Sequence, residues 1–254
     1  MDNIENLTLG QVLENSAAES PDKVAVVDGK RRITYAELNA TVDALATGLA
    51  GLGFEKGDRV AIYMKNALEL VTAFYALQKI GVVVVWINAL YRVHEAEFIL
   101  ENSEAKGLFI FNQWDDYDYL AEIQKIKSKL PGLEHIMVVG DSQGADVTDY
   151  DRLIDGNRGK ALPIVSIDSQ KDLCMLLYTS GTTGPPKGAM IRHYAAVRAG
   201  REYALGTGAT ADDIFIGILP MSHSYGCGSV LVQPIFLQAR LVLMDKFDAE
   251  GALQ

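Results

Sequence analysis

Only two cysteines occur among the 254 residues, so no disulfide framework holds this chain and its stability must come from a packed core. Cys174 lies inside an apolar run and Cys227 in a Gly- and Ser-rich stretch. That usage fits a reducing compartment, and a cytoplasmic location is the expectation. No run of Lys and Arg is long enough to build a basic patch, the longest being Lys30-Arg31-Arg32, and the formal net charge is −10. Both facts exclude the clustered basic surface that nucleic-acid binding needs. The polar, acidic start MDNIENLTLG is no secretory signal. The most apolar region, residues 70–90, is interrupted by Gln78, Lys79 and Gly81, and its stretch 80–87 falls far short of the ~20 residues of a transmembrane helix. His94, His135 and His193 show no metal-ligand spacing, and neither H-E-x-x-H nor C-x-x-C occurs, so no resident metal is expected. Internal repeats and low-complexity tracts are missing as well.

What the chain does have is 49% hydrophobic residues, with charges interspersed, enough for one large domain or two smaller ones. Helix and strand signals alternate almost from end to end. Thr34 and Glu37 make a capping box ahead of the apolar stripe Leu38, Val42, Leu45, Leu49 and Leu52, with Gly53 as its stop. A strand is expected over 59–64. The pair Asn66 and Glu69 repeats the capping pattern before a helix ending near Gly81, and the β-branched run 82–87 reads as a strand buried on both faces. Helices are expected over 94–101, 119–130 and 194–205, and strands over 108–111, 136–139, 173–178, 214–219 and 241–244. The polar stretch 140–159 reads mostly as loop. Repeated strand–helix–strand units imply an α/β fold, mainly parallel sheets covered by helices. Two units are expected, residues 1–170 and 171–254.

In such sheets ligands bind beyond the carboxyl ends of the strands. The stretch 178–188, YTSGTTGPPKG, begins where an apolar strand stops. Thr179, Ser180, Thr182 and Thr183 supply hydroxyls, Gly181 and Gly184 let backbone N–H groups approach an anion, and Lys187 adds a cation after two stiffening prolines. A solvated surface loop would share this composition but has no need of the strand, the single lysine and the prolines in that order. A P-loop counted from Gly181 would have Gly before the lysine and Ser or Thr after it. Pro186 and Gly188 stand there instead, which removes the glycine that wraps a phosphate and the hydroxyl that holds magnesium.

The run YTSGTTGPPKG resembles, nearly residue for residue, the signature of the adenylate-forming superfamily: acyl-CoA synthetases, aryl-CoA ligases, firefly luciferase and the adenylation domains of peptide synthetases. The segment ITYAELNATVDALATGLAGLGFEKGDRVAIYMKN, LPMSHSYG and the later KFD resemble further landmarks of that family. The resemblance implies that Thr179, Ser180, Gly181, Thr182, Thr183, Gly184 and Lys187 contact ATP phosphates. It also implies that a carboxylic acid is activated as acyl-AMP, and that coenzyme A then displaces AMP. Magnesium would arrive with the nucleotide.

On the acid side, His223 among small residues would donate a hydrogen bond to a carboxylate or adenylate while Tyr225 shapes an apolar tunnel. The resemblance places His223, Ser224, Tyr225 and Gly226 at the acyl pocket. Peptide-synthetase domains usually carry an aspartate here; this stretch has none, so an uncharged acyl or aryl acid is favoured over an amino acid. Lys246 matches a position that contacts the coenzyme A nucleotide in some ligases. The chain departs from the family at GVVVVWINAL, which lacks prolines near Trp86 and Ala89, and at Arg192, where Ser or Thr is usual. The adenine- and ribose-holding segments and the lid domain with its catalytic lysine would follow Gln254. The chain is therefore expected to be an incomplete large N-terminal domain, inactive alone, with a surface open to pairing with another copy. The alternative expectation is a non-catalytic fragment that binds nucleotide or acyl ligand, or only a partner.

Overall fold

The computed structural model describes residues 4–142, 144, 146–179, 186–244 and 250. Helix α1 (Leu9–Glu19) precedes a hairpin of β1 (Val24–Asp28) and β2 (Arg31–Thr34). Then come α2 (Tyr35–Gly51), β3 (Arg59–Tyr63), α3 (Leu68–Lys79), β4 (Val83–Trp86), α4 (Val93–Asn102) and β5 (Gly107–Phe111). A small hairpin, β6 (Gln113–Trp114) and β7 (Tyr117–Asp118), leads to α5 (Tyr119–Ile126), β8 (His135–Val139), β9 (Thr148–Asp149) and α6 (Tyr150–Asp155). The remainder is β10 (Leu173–Tyr178), β11 (Gly188–Arg192), α7 (His193–Thr207), β12 (Ile214–Gly217), α8 (Ser224–Gly226), a π-helical turn (Cys227–Val232), α9 (Gln233–Leu237) and β13 (Arg240–Leu243).

These strands form two main sheets, ordered β11-β10-β4-β3-β5-β8-β9 and β12-β13-β1-β2. All neighbours in the first are parallel except β10 and β11, and in the second all except β1 and β2. The expected α/β architecture is present. Each sheet draws strands from both sides of residue 170, because β1 pairs with β13 and β4 with β10.

Strict alternation along β3 and β4 explains the layers. Val60, Ile62, Val84 and Trp86 face a core shared with Val26, Leu241 and Leu243 of the second sheet and with helices α1 to α3. Ala61, Tyr63, Val85 and Ile87 face a separate core formed with α4 and α5. A strand with apolar neighbours on both faces needs the uninterrupted hydrophobic run that β4 has.

Several local expectations change. The capping box at Thr34 and Glu37 forms, with Glu37 N–H donating to Thr34 Oγ1 at 3.2 Å and Thr34 N–H to Glu37 at 2.8 Å. Asn66 does not cap α3. Ala67 stands at that position, and Asp28 at the end of β1 accepts the Leu68 N–H at 3.0 Å instead. Residues 140–159, read mostly as loop, contain β9 and α6, with Tyr150 and Ile154 buried against α2. No helix among the described residues is long and apolar enough to cross a membrane.

Arg192 occupies the position before α7 in extended backbone and makes no side-chain cap. Replacing it with Ser should stabilise the chain by about 0.5–2 kcal/mol in urea denaturation. The next residue, His193, is fully buried, and its Nδ1 accepts the Leu9 N–H at 3.2 Å, tying α7 to the first turn of α1. Burial pushes its pKa down to about 4; Asp172 opposes the shift and Lys56 adds to it. The unfolded chain therefore binds more protons than the folded one between pH ~6.5 and about 4. Stability fully present above that window is lost as the pH falls through it, by about 3 kcal/mol. In His193→Gln that part of the acid-side decline should vanish, and an unchanged slope would contradict neutral burial of His193.

Candidate functional site

Strand β10 runs parallel to β4, with Leu177 beside Trp86, so both strands deliver their carboxyl ends to one edge of the seven-stranded sheet. There the chain turns back antiparallel into β11, with Tyr178 opposite Gly188. The Thr179 N–H donates to the Lys187 carbonyl at 3.1 Å, which closes the neck of the 179–187 loop. Both side chains are exposed. Ser180, Gly181, Thr182, Thr183 and Gly184 lie outside the described residues, as does Lys246. The Tyr178 ring covers Gly188, where a Cβ would sit 3.2 Å from Cζ, and its hydroxyl donates to Asn102 Oδ1 of α4 at 2.8 Å. Strand β11, which periodicity did not reveal, separates the loop from the N-terminus of α7.

The acid-side segment starts at the end of β12. The His223 N–H donates to the Pro220 carbonyl at 3.1 Å, and the Cys227 N–H donates to the His223 carbonyl at 2.8 Å. Gly226 passes so close to Pro220 that a Cβ would lie 2.1 Å from its carbonyl oxygen. His223 Nδ1 accepts the Tyr225 N–H at 3.4 Å, which leaves Nε2 on the outer side of an exposed ring. Ser224 and Tyr225 are exposed too, and Tyr225 packs edge-to-face on Tyr203 with centroids 5.5 Å apart. Cys227 Sγ lies 3.7 Å from Met175 Sδ of β10, so the base of this segment touches the strand that carries the other loop. Burial pushes the Cys227 thiol up to about 12, which keeps it protonated and unreactive.

Between the two sheets, at their carboxyl ends, opens a cavity of about 300 Å³ lined in part by Met64, Asn66, Asn88, Trp114, Pro220 and Ser222. Lys65, also on its wall, stands over the Phe111 and Trp114 rings at 5.7 and 5.9 Å. The Tyr119 hydroxyl donates to the Ala89 carbonyl at 2.7 Å and that of Tyr63 to Tyr91, which holds the segment after β4 in place. Of the described residues expected from sequence, Thr179, Lys187, His223, Ser224, Tyr225 and Gly226 do not line this cavity, although Ser222 directly precedes His223. Its walls come from chain positions far apart, and although Met64, Asn66, Pro220 and Ser222 lie in segments that resemble family landmarks, nothing local shows that they meet.

A crevice at the shared carboxyl edge of two mainly parallel sheets is where open α/β folds bind their ligands. The pattern of the family described as AMP-binding enzyme matches residues 13–253, and the chain belongs to that family. A crotonobetaine/carnitine–CoA ligase of Salmonella heidelberg (strain SL476) is 31% identical over 259 residues, covering 99% of this chain and 49% of that protein. The chain spans about half the length of the curated relatives it matches. The anthranilate CoA ligase AuaEII, solved with anthranoyl-AMP, superposes with a TM-score of 0.89 at 25% identity, over 98% of this chain and 47% of that one. The inhibitor-bound N-terminal domain of FACL13 from Mycobacterium tuberculosis gives 0.81 at 29% identity, over 96% and 59%.

The close approach at Gly226 yields a direct test. Gly226→Ala should displace residues 220–226 and cost about 1–3 kcal/mol by overpacking, read from urea denaturation.

Proposed function

We propose that the whole protein carrying this chain is an AMP-forming acid–CoA ligase. A carboxylate oxygen of the acid attacks the α-phosphorus of ATP, the bond from that phosphorus to the bridging oxygen breaks, and pyrophosphate leaves. The thiol sulfur of coenzyme A then attacks the acyl carbon, AMP departs, and the thiol proton is released. The observation that carries this reading is the loop neck closed by Thr179 and Lys187 at the carboxyl edge of β10. Family membership and the CoA ligases among the relatives support it.

In this reading Thr179, Ser180, Gly181, Thr182, Thr183 and Gly184 bring hydroxyl and N–H donors to the ATP phosphates. Lys187 supplies the cation, and magnesium enters with the nucleotide. Preorganised donors of this kind stabilise the charge that develops in the transition state. The exposed His223 Nε2 addresses the acid or adenylate oxygen, with Ser224, Tyr225 and Gly226 shaping the acyl side and Lys246 meeting coenzyme A. The stretch 222–226 offers no carboxylate to hold an amino group, so an uncharged acyl or aryl acid fits better than an amino acid. The groups assigned to the phosphates are donors and a cation, consistent with catalysis by positioning. We assign the protein to the cytoplasm and regard pairing between copies of the isolated 254-residue chain as a further part of the proposal.

Pyrophosphate exchange with a panel of carboxylic acids tests this. The whole gene product should exchange with at least one fatty or aryl acid, and the 254-residue chain alone should not. Lys187→Ala should weaken ATP binding about tenfold or more, the scale of one lost charge-assisted phosphate contact. No exchange with any acid, together with unchanged ATP affinity in Lys187→Ala, would remove the ligase reading.

A further inference from the structure

Asn66 follows β3 and sits where a helix cap is expected, yet its side chain turns away from α3. The cap is made by Asp28, and Glu69 pairs with Arg31 rather than with Asn66. The freed amide reaches across to the second sheet. Its Nδ2 donates to the carbonyls of Gly217 at 2.9 Å and Leu219 at 2.8 Å, and its Oδ1 accepts the Met221 N–H at 3.0 Å. Both ends of one side chain are thus committed to a single segment, 151 to 155 positions further along the chain.

That segment is the one leading from β12 to His223. Among the described residues β12 is an edge strand paired only with β13, so no described strand flanks the segment leaving it. Further along, residues 220–227 are bonded to themselves, through Pro220 to His223 and His223 to Cys227, so they move as one body. Asn66 grips the entry of that body. Met221, which it holds, is fully buried, and Pro220 and Ser222 share a cavity wall with Asn66.

We propose that Asn66 is the positioning residue that registers the acid-side segment 217–226 against the seven-stranded sheet, and that it thereby sets affinity for the acid but not for ATP. The inference rests on the ligase reading for its kinetic consequence; the anchoring itself does not. Loosening the grip displaces His223 relative to the 179–187 loop, whose own strands β10 and β11 Asn66 does not bond. A shift on the order of 1 Å in such a pair of loops is enough to lose productive geometry.

Two variants separate the outcomes. Asn66→Ala removes all three bonds; Asn66→Asp keeps an acceptor for Met221 but aims carboxylate oxygen at two carbonyls. In pyrophosphate exchange by the whole gene product, both should raise KM for the acid about tenfold and leave KM for ATP within about twofold. On the 254-residue chain, amide exchange of Met221 and His223 should quicken in both variants while the β3 and β4 amides stay protected. If acid KM and the Met221 and His223 amides stay as in the parent while only Tm falls, the proposal is overturned. An equal rise in both KM values overturns it as well. If the parent protein itself shows no exchange with any acid, the ligase reading fails, and the amide data alone still decide whether Asn66 anchors the segment.

Discussion

The parallel pairing of β1 with β13 is the contact on which the site depends. It sets Val26 beside Leu241 and Asp28 beside Leu243, more than 200 positions apart in the chain. Without it β12 and β13 would have only each other, and a lone pair of strands is marginal in water. With it, the segment after β12 is carried to the carboxyl ends of β3 and β4. Closing so long a loop is entropically costly and slow. The offset is burial: Ala25, Val26 and Leu241 are fully buried in the core that also holds α1 to α3. Asp28 reinforces the same junction by capping α3, and Arg31 binds both Asp28 and Glu69.

How much of this was legible in the sequence depends on whether the cause was local. The run 82–87 gave away β4, because a strand covered on both faces has no polar positions to spare. Thr34 and Glu37 announced α2, since a capping box is closed within four residues. Asn66 and Glu69 carry the same local pattern, and there it failed: Asp28, 40 positions from the Leu68 N–H it accepts, took the cap, and the amide found partners beyond residue 216. His193 was passed over for a related reason. Its partner, the Leu9 N–H, is 184 positions distant, and a histidine without metal spacing gives no sign of such a bond.

The loop at 179–187 was legible by composition and chain position, but its setting was not. Strand β11 is short, and its exposed residues Ala189, Met190 and Arg192 give it no clean alternation. Because β11 intervenes, α7 does not follow the loop directly as a helix follows a P-loop. The hairpin changes the electrostatics of the proposed site. A P-loop places its anion at a helix N-terminus, where the macrodipole contributes about half a positive charge. Here the five residues of β11 separate α7 from the neck, and its first side chain, His193, is neutral and turned to α1. The burden of positive charge at the neck therefore falls on Lys187, in a chain whose net charge is −10. A point charge on a flexible stem can follow a phosphate as it leaves, whereas a helix dipole is fixed. For the reaction proposed above, that places the charge facing the departing pyrophosphate on one side chain rather than on a helix end.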